Sequence, residues 1–153
     1  MLRPFEPSDA DAIFEWMRDP EAVRQAAFTA PDPDDRAAFD AWLARNLTNE
    51  KVINRIIEVD GTAVGSIASF EMEGDRELTY WIDPAQWRRG YASAAVEEFL
   101  TIEPTRPLFA RTASHNAGSA RVLERNGFLE VGREVSFANA IGAEIEEIIH
   151  RLD

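Results

Sequence analysis

The segment from Lys51 to Ile82 limits the fold more than any other part of the chain. "KVINRIIEV" and "TAVGSIASF" are apolar, strand-length runs separated only by Asp60-Gly61, a two-residue pair that favours a tight hairpin. "EMEGDRELTYWID" continues the pattern, with a turn expected at Gly74-Asp75 and a strand from about Glu77 to Ile82. Such short connections join only antiparallel neighbours. The next segment, "WIDPAQWRRGYASAAVEEFL", leaves the meander through a Pro-containing turn. It becomes helical, with Ala92, Ala95, Val96, Phe99 and Leu100 on one face and Pro104 beyond its end. "PLFARTA" is then a strand reached through a helix, which implies a parallel crossover.

The flanks complete the order. "EPSDADAIFEWMRDP" reads as a first helix capped by Ser8, with Asp11 in the capping-box position and Ile13, Trp16 and Met17 on its apolar face. Pro20 and "FTAPDPDD" interrupt it. "DRAAFDAWLARNL" reads as a second helix with Phe39, Trp42 and Leu43 inward. "NAGSARVLERNGF" is a short helix with Asn116 as cap and Gly127 as stop, and "FLEVGREV" and "EIEEIIHRL" are the last strands. The expected fold is a mixed α/β domain spanning 1–153, in the order βααβββαβαββ. Its central sheet is mixed but mostly antiparallel, with helices on both faces.

Composition narrows the function. The chain has 153 residues, no cysteine and two histidines, which excludes disulfides and thiolate zinc sites, and no metal is expected. No apolar run is long enough for a membrane span, and the N-terminus lacks the pattern of a signal peptide, so the sequence reads as cytoplasmic with no membrane partner. A net charge of -12 repels DNA and RNA at long range but would attract a cationic amine.

Against that charge, Arg88 and Arg89 stand side by side before Gly90-Tyr91-Ala92, where a helix opens. The first amides of a helix lack intrahelical partners and lie at the positive end of its dipole. Gly90 has no Cβ to hold a ligand off the backbone, and the arginine forks suit phosphate oxygens. Taken alone, the stretch reads as a solvated turn with two surface arginines; it is neither a Walker loop nor G-x-G-x-x-G.

Together with "NAGSARVLERNGF", the stretch resembles the GNAT superfamily of acyl-CoA-dependent N-acyltransferases. Trp87-Arg88-Arg89-Gly90-Tyr91-Ala92 is similar to that family's pyrophosphate loop, with Trp87 in place of the usual Gln or Arg, and Asn116 to Phe128 is similar to its later helix. "ELTYWIDPAQWRRGYAS" most resembles the branch that acetylates N-termini of ribosomal proteins. The resemblance implies acetyl-CoA as co-substrate, with its pantetheine arm along the backbone near Trp81 and Ile82. It also implies a pyrophosphate on the amides from Arg88 to Ala92, and Asn116 on the pantetheine side.

It further implies Glu77 as base. Where many members carry a tyrosine acid this chain has Leu123, and Ser119 resembles the serine that replaces it in the ribosomal branch. With no cysteine, direct attack in a ternary complex is the expected route, onto a primary amine such as a peptide N-terminus or small amine. His115 reads as a loop residue and His150 as structural. Phe28, Phe39, Trp42, Tyr80 and Trp81 read mostly as core, with some lining the acceptor pocket. Two alternatives stay open: a GNAT fold that binds acyl-CoA without turnover, and another mixed-sheet domain with a surface arginine pair. The sequence leaves room for a homodimer.

Overall fold

A computed structural model describes residues 1–153. The strands are β1 (Leu2–Arg3), β2 (Ile53–Val59), β3 (Thr62–Met72), β4 (Asp75–Ile82), β5 (Leu108–Ala113), β6 (Leu129–Ala138) and β7 (Ala143–Leu152). The helices are α1 (Ala10–Arg18), α2 (Pro20–Ala26), α3 (Arg36–Thr48), α4 (Tyr91–Phe99) and α5 (Ala117–Arg125). The strands form one sheet in the order β1-β2-β3-β4-β5-β7-β6. Every neighbouring pair is antiparallel except β4 and β5, the pair joined through α4.

Asp60 and Gly61 both have left-handed φ values, 51° and 78°, as a two-residue primed turn requires. The second turn sits one residue earlier than expected. Glu73 and Gly74 make it, with φ of 51° and 87°, and Asp75 already pairs with Met72.

The first helical segment divides at Asp19-Pro20. Asp19 is extended and its side chain accepts from the Ala22 amide, so Pro20 opens α2 rather than merely interrupting α1. Ser8 does not cap α1. It lies in a 3-10 turn closed by Asp9, whose carboxylate accepts from the Glu6 amide at 2.8 Å and from both terminal nitrogens of Arg3 at 2.8 Å. An acid that reaches back to a free amide while paired with an arginine satisfies more donors than a serine hydroxyl could.

Side-chain alternation along the strands separates two cores. On one face Ile67, Leu78, Ile82, Leu108 and Ala110 pack against Val96, Phe99, Leu123 and Phe128 of α4, α5 and the following turn. On the other, Ile56 and Trp81 pack against Ile13 and Trp16 of α1. α3 seats less closely: of its residues only Leu43 is buried, and Trp42, expected inward, is 41% exposed. Its aromatics pack with each other and with Phe14 of α1 instead, Phe39 lying 5.2 Å from Phe14 and 5.8 Å from Trp42 between ring centroids. This packing leaves a hollow above the central strands.

An ion pair between Arg76 and Glu103, at 2.5 Å, fixes the start of β4 to the chain entering β5. Burial alone would push the Glu103 carboxyl up, but hydrogen bonds led by Arg76 outweigh it and hold the carboxyl below its ordinary range.

Gly65 sets the spacing of β3 and β4. A Cβ there would lie 2.5 Å from the Trp81 carbonyl oxygen and 2.9 Å from Ile82 Cδ1. Gly65→Ala is expected to cost about 1–3 kcal/mol, the usual range for overpacking. Urea unfolding checks this, and a loss below about 0.5 kcal/mol would show that the two strands part freely there.

Candidate functional site

β4 and β5 pair at only three positions, Arg76 with Leu108, Glu77 with Phe109 and Leu78 with Ala110. β4 stays paired with β3 as far as Ile82, and β5 with β7 as far as Ala113. From Thr79 onward the two strands therefore diverge, and a gap opens through the sheet. The Asp83 amide donates to the Val64 carbonyl at 2.8 Å. Because an antiparallel ladder alternates, Trp81 and Thr79 direct their backbone groups at β3, whereas Tyr80 and Ile82 direct theirs at the gap.

The loop at the mouth of the gap is short of partners. Gly90, left-handed at φ 79°, occupies the N-cap of α4 and has no side chain to cap it. The backbone amides from Arg88 to Ser93 donate to nothing within the chain. Arg88 is itself left-handed, φ 65°, a conformation that costs a residue with a Cβ about 1–2 kcal/mol. Trp87 fastens the loop: its indole N–H donates to the Ile82 carbonyl at 3.1 Å. The result is a cleft of about 650 Å³ running from this loop past Tyr80 to the start of α5. Arg88, Arg89, Arg121 and Arg125 line it, with Glu21 the one acid among the lining residues. In an acidic chain this is a local basic patch beside free amides, suited to a phosphate-bearing ligand with an amide-rich arm.

The sequence matches the acetyltransferase (GNAT) domain family over residues 1–129. The chain belongs to the GNAT acetyltransferases. No protein of curated function matches the sequence. Solved structures share the fold at low identity. A ribosomal-protein-alanine N-acetyltransferase from Brucella melitensis is 18% identical with a TM-score of 0.82, over 99% of this chain and 98% of that one. A spermidine N-acetyltransferase from Vibrio cholerae, in complex with CoA and spermine, is 17% identical with a TM-score of 0.79, over 99% and 94%. A phosphinothricin acetyltransferase from Sinorhizobium meliloti, in complex with AcCoA, is 15% identical with a TM-score of 0.81, over 99% and 86%.

In this GNAT domain the expected site residues fall in two places. Trp81, Ile82, Arg88, Arg89, Gly90, Tyr91, Ala92, Asn116 and Ser119 all line the cleft. Asn116 caps α5, its side-chain oxygen accepting from the Ser119 amide at 3.2 Å. Ile82 has a buried side chain, and its carbonyl is already taken by Trp87. Glu77 stands apart from the cleft, at the closed end of the gap and on the α1/α3 face. It is 4% exposed and accepts from Arg111 Nε at 3.1 Å. Arg111 also binds Glu134 at 2.8 Å and Glu147 at 3.1 Å. Burial pushes the Glu77 carboxyl above its ordinary range, against the pull of the Arg111 charge and hydrogen bond.

His115 binds the Arg24 carbonyl at 2.8 Å and ties α2 to the β5–α5 connection. His150 is buried against Thr112 and is held below its ordinary range by burial. No group of three or more His, Asp or Glu side chains is placed to hold a metal ion, and no helix is long and apolar enough to cross a membrane.

Two features are not legible in the sequence. Arg121 and Arg125, one helical turn apart on α5, complete the basic lining of the cleft. Tyr80, which reads as core, spans from β4 to α5: its hydroxyl lies 2.6 Å from Ser119 Oγ and donates to the Ser119 carbonyl at 3.2 Å. Burial pushes its phenol up to about 12, only partly countered by Ser119. The chain has two tyrosines. With the fold held intact by circular dichroism, absorbance titration of Tyr80→Phe is expected to lose a phenolate transition near 12 that the unchanged protein shows. Loss of a transition near 10 instead, the free-tyrosine value, would place Tyr80 in water.

Proposed function

We propose that this chain transfers an acetyl group from acetyl-CoA to a primary amine of low pKa, a peptide N-terminus or a small amine. The observation that carries this reading is the row of unpartnered amides from Arg88 to Ser93 at the mouth of the gap between β4 and β5. Those amides, with Arg88 and Arg89, hold the pyrophosphate. The gap-facing backbone of Tyr80 and Ile82 holds the pantetheine arm, beside the Trp81 wall and with Asn116 on the opposite bank. When bound, acetyl-CoA supplies a thioester carbonyl to the nucleophile.

The chain's own groups then divide the work between the two sheet faces. Ser119 Oγ donates a hydrogen bond to the departing sulfur, which leaves as a thiolate and takes its proton from solvent, and the Tyr80 phenol, protonated throughout the working range, positions the serine hydroxyl through their 2.6 Å contact. On the other face Glu77 takes the amine proton, directly or through one water. Its raised carboxyl is a stronger base than an exposed one. The absence of cysteine excludes a cysteine acyl-enzyme, and the transfer runs directly between the two substrates in this reading.

Energetics favour an α-amine. A free α-amine titrates at about 7.7–8.0, so its deprotonation at pH 7 costs about 1.2 kcal/mol, against about 4.6 for a lysine amine.

Two outcomes are expected. By calorimetry, replacing both Arg88 and Arg89 with Ala should weaken CoA binding about tenfold, about 1.4 kcal/mol, with less loss at high salt. Gly90→Val should weaken it more, because a β-branched residue resists the left-handed backbone and obstructs close approach to the amides. Unchanged affinity in both variants would remove the loop from the site, and CoA binding without thiol release on any amine would make the protein a binding module. In rate–pH profiles, Glu77→Gln should slow transfer most below pH 8, where the α-amine is protonated, and less above it. An equal drop at pH 6.5 and pH 9 would exclude Glu77 as base.

A further inference from the structure

The hollow above the central strands is a second cavity, of about 350 Å³, distinct from the basic cleft. Its floor is the face formed by Ser66 and Ala68 of β3 beside Thr79 and Trp81 of β4, and its roof is Met17 of α1 with Trp42 of α3. The small residues on β3 and the loosely seated α3 explain why the space stays open. No charged side chain lines it; asparagine, serine and threonine are its polar members.

The position of the cavity gives it a role. Tyr80 and Trp81 line both the cavity and the basic cleft. They belong to the stretch of β4 that has no partner on the β5 side, so the two spaces meet across the gap from opposite faces of the sheet. Thr79, exposed on this face, is next to the opening. Glu77 precedes it by two residues on the same face, with Arg111, Glu134 and Glu147 grouped around it.

From this arrangement we infer that the cavity holds the body of the amine acceptor and that the body is apolar: a monoamine whose nitrogen lies at the Thr79 edge and whose aromatic or branched aliphatic group fills the hollow. The inference rests on the acetyl-transfer reading above and names the substrate class for it. The volume falls within the range of small-molecule sites and accommodates a group of amino-acid side-chain size. A polyamine would have to bring a second ammonium into a space without a carboxylate, where an unpaired charge is strongly disfavoured. The carboxylates of Glu77, Glu134 and Glu147 bind Arg111 and none lines the hollow, so nothing there offsets a second cation.

The test compares amines of the same kind with different bodies. Phenylalaninamide, leucinamide and glycinamide each carry an α-amine, and spermidine carries several cations. With acetyl-CoA saturating, thiol release should give phenylalaninamide or leucinamide a kcat/KM about ten- to a hundredfold above glycinamide, with spermidine poorest. Ala68→Leu, which fills the floor, should remove that preference and leave CoA affinity unchanged. If that variant fails to fold, Trp42→Ala, at a half-exposed roof position, should narrow the preference in the same way. Equal rates for glycinamide and phenylalaninamide, or a preference for spermidine, would overturn the inference. Should no amine turn over, calorimetric titration of phenylalaninamide into the CoA-bound protein separates the two readings. Binding abolished by Ala68→Leu supports the cavity and defeats the transfer reading, and no binding defeats the cavity.

Discussion

The parting of β4 from β5 is the constraint on which the rest of the structure depends. Each strand is fully paired on its outer side, β4 with β3 and β5 with β7, so the sheet consists of two antiparallel blocks joined by a three-position parallel seam. Two ion pairs brace that seam, Arg76 with Glu103 on one face and Glu77 with Arg111 on the other. Beyond it the natural twist of each block carries the strands apart, and the backbone groups of Tyr80 and the amide of Ile82 are left facing open space, the Ile82 carbonyl being taken by Trp87. Unpaired backbone of this kind is costly when dry, which is why it persists at a place where a ligand or water can satisfy it.

The electrostatics follow the same division. The molecule carries a net charge of -12, yet four arginines gather along the cleft. Acidic residues gather instead around Arg111 on the opposite face. The protein thus places opposite signs on the two faces of the sheet, an anion-favouring side at the helix amides and an acidic group bound to Arg111 at β5 to β7. A polyanion is repelled by the whole, while a compact phosphate group is received locally.

How much of this is written in the sequence depends on the range of each signal. The Asp60-Gly61 hairpin, the helix opened by Gly90 and the Asn116 cap are readable because each is decided by a few adjacent residues. The family resemblance adds the gap. Ser8 misleads because the capping acid is its neighbour Asp9, which Arg3 of β1 holds in place. Trp42 reads as inward because aromatic residues at helical spacing usually face a core, yet Phe14 and Phe39 fill that place first. Tyr80 looks like one more core aromatic, since nothing local announces a serine 39 residues away. Arg121 and Arg125 look like an ordinary solvated helix face until α5 is set beside the loop.

The tryptophans fixed around the gap carry a spectroscopic consequence. Of four indoles in the chain, Trp81 is fastened to the Trp16 carbonyl at 3.1 Å and Trp87 to that of Ile82 at 3.1 Å. One stands in the wall shared by both cavities and the other anchors the loop of free amides. Indole emission responds to the polarity and hydrogen bonding around the ring, so the protein carries built-in fluorophores at the two ends of its most functional stretch of backbone. Occupancy of the cleft and of the hollow can therefore be followed by intrinsic fluorescence, without a label and without turnover.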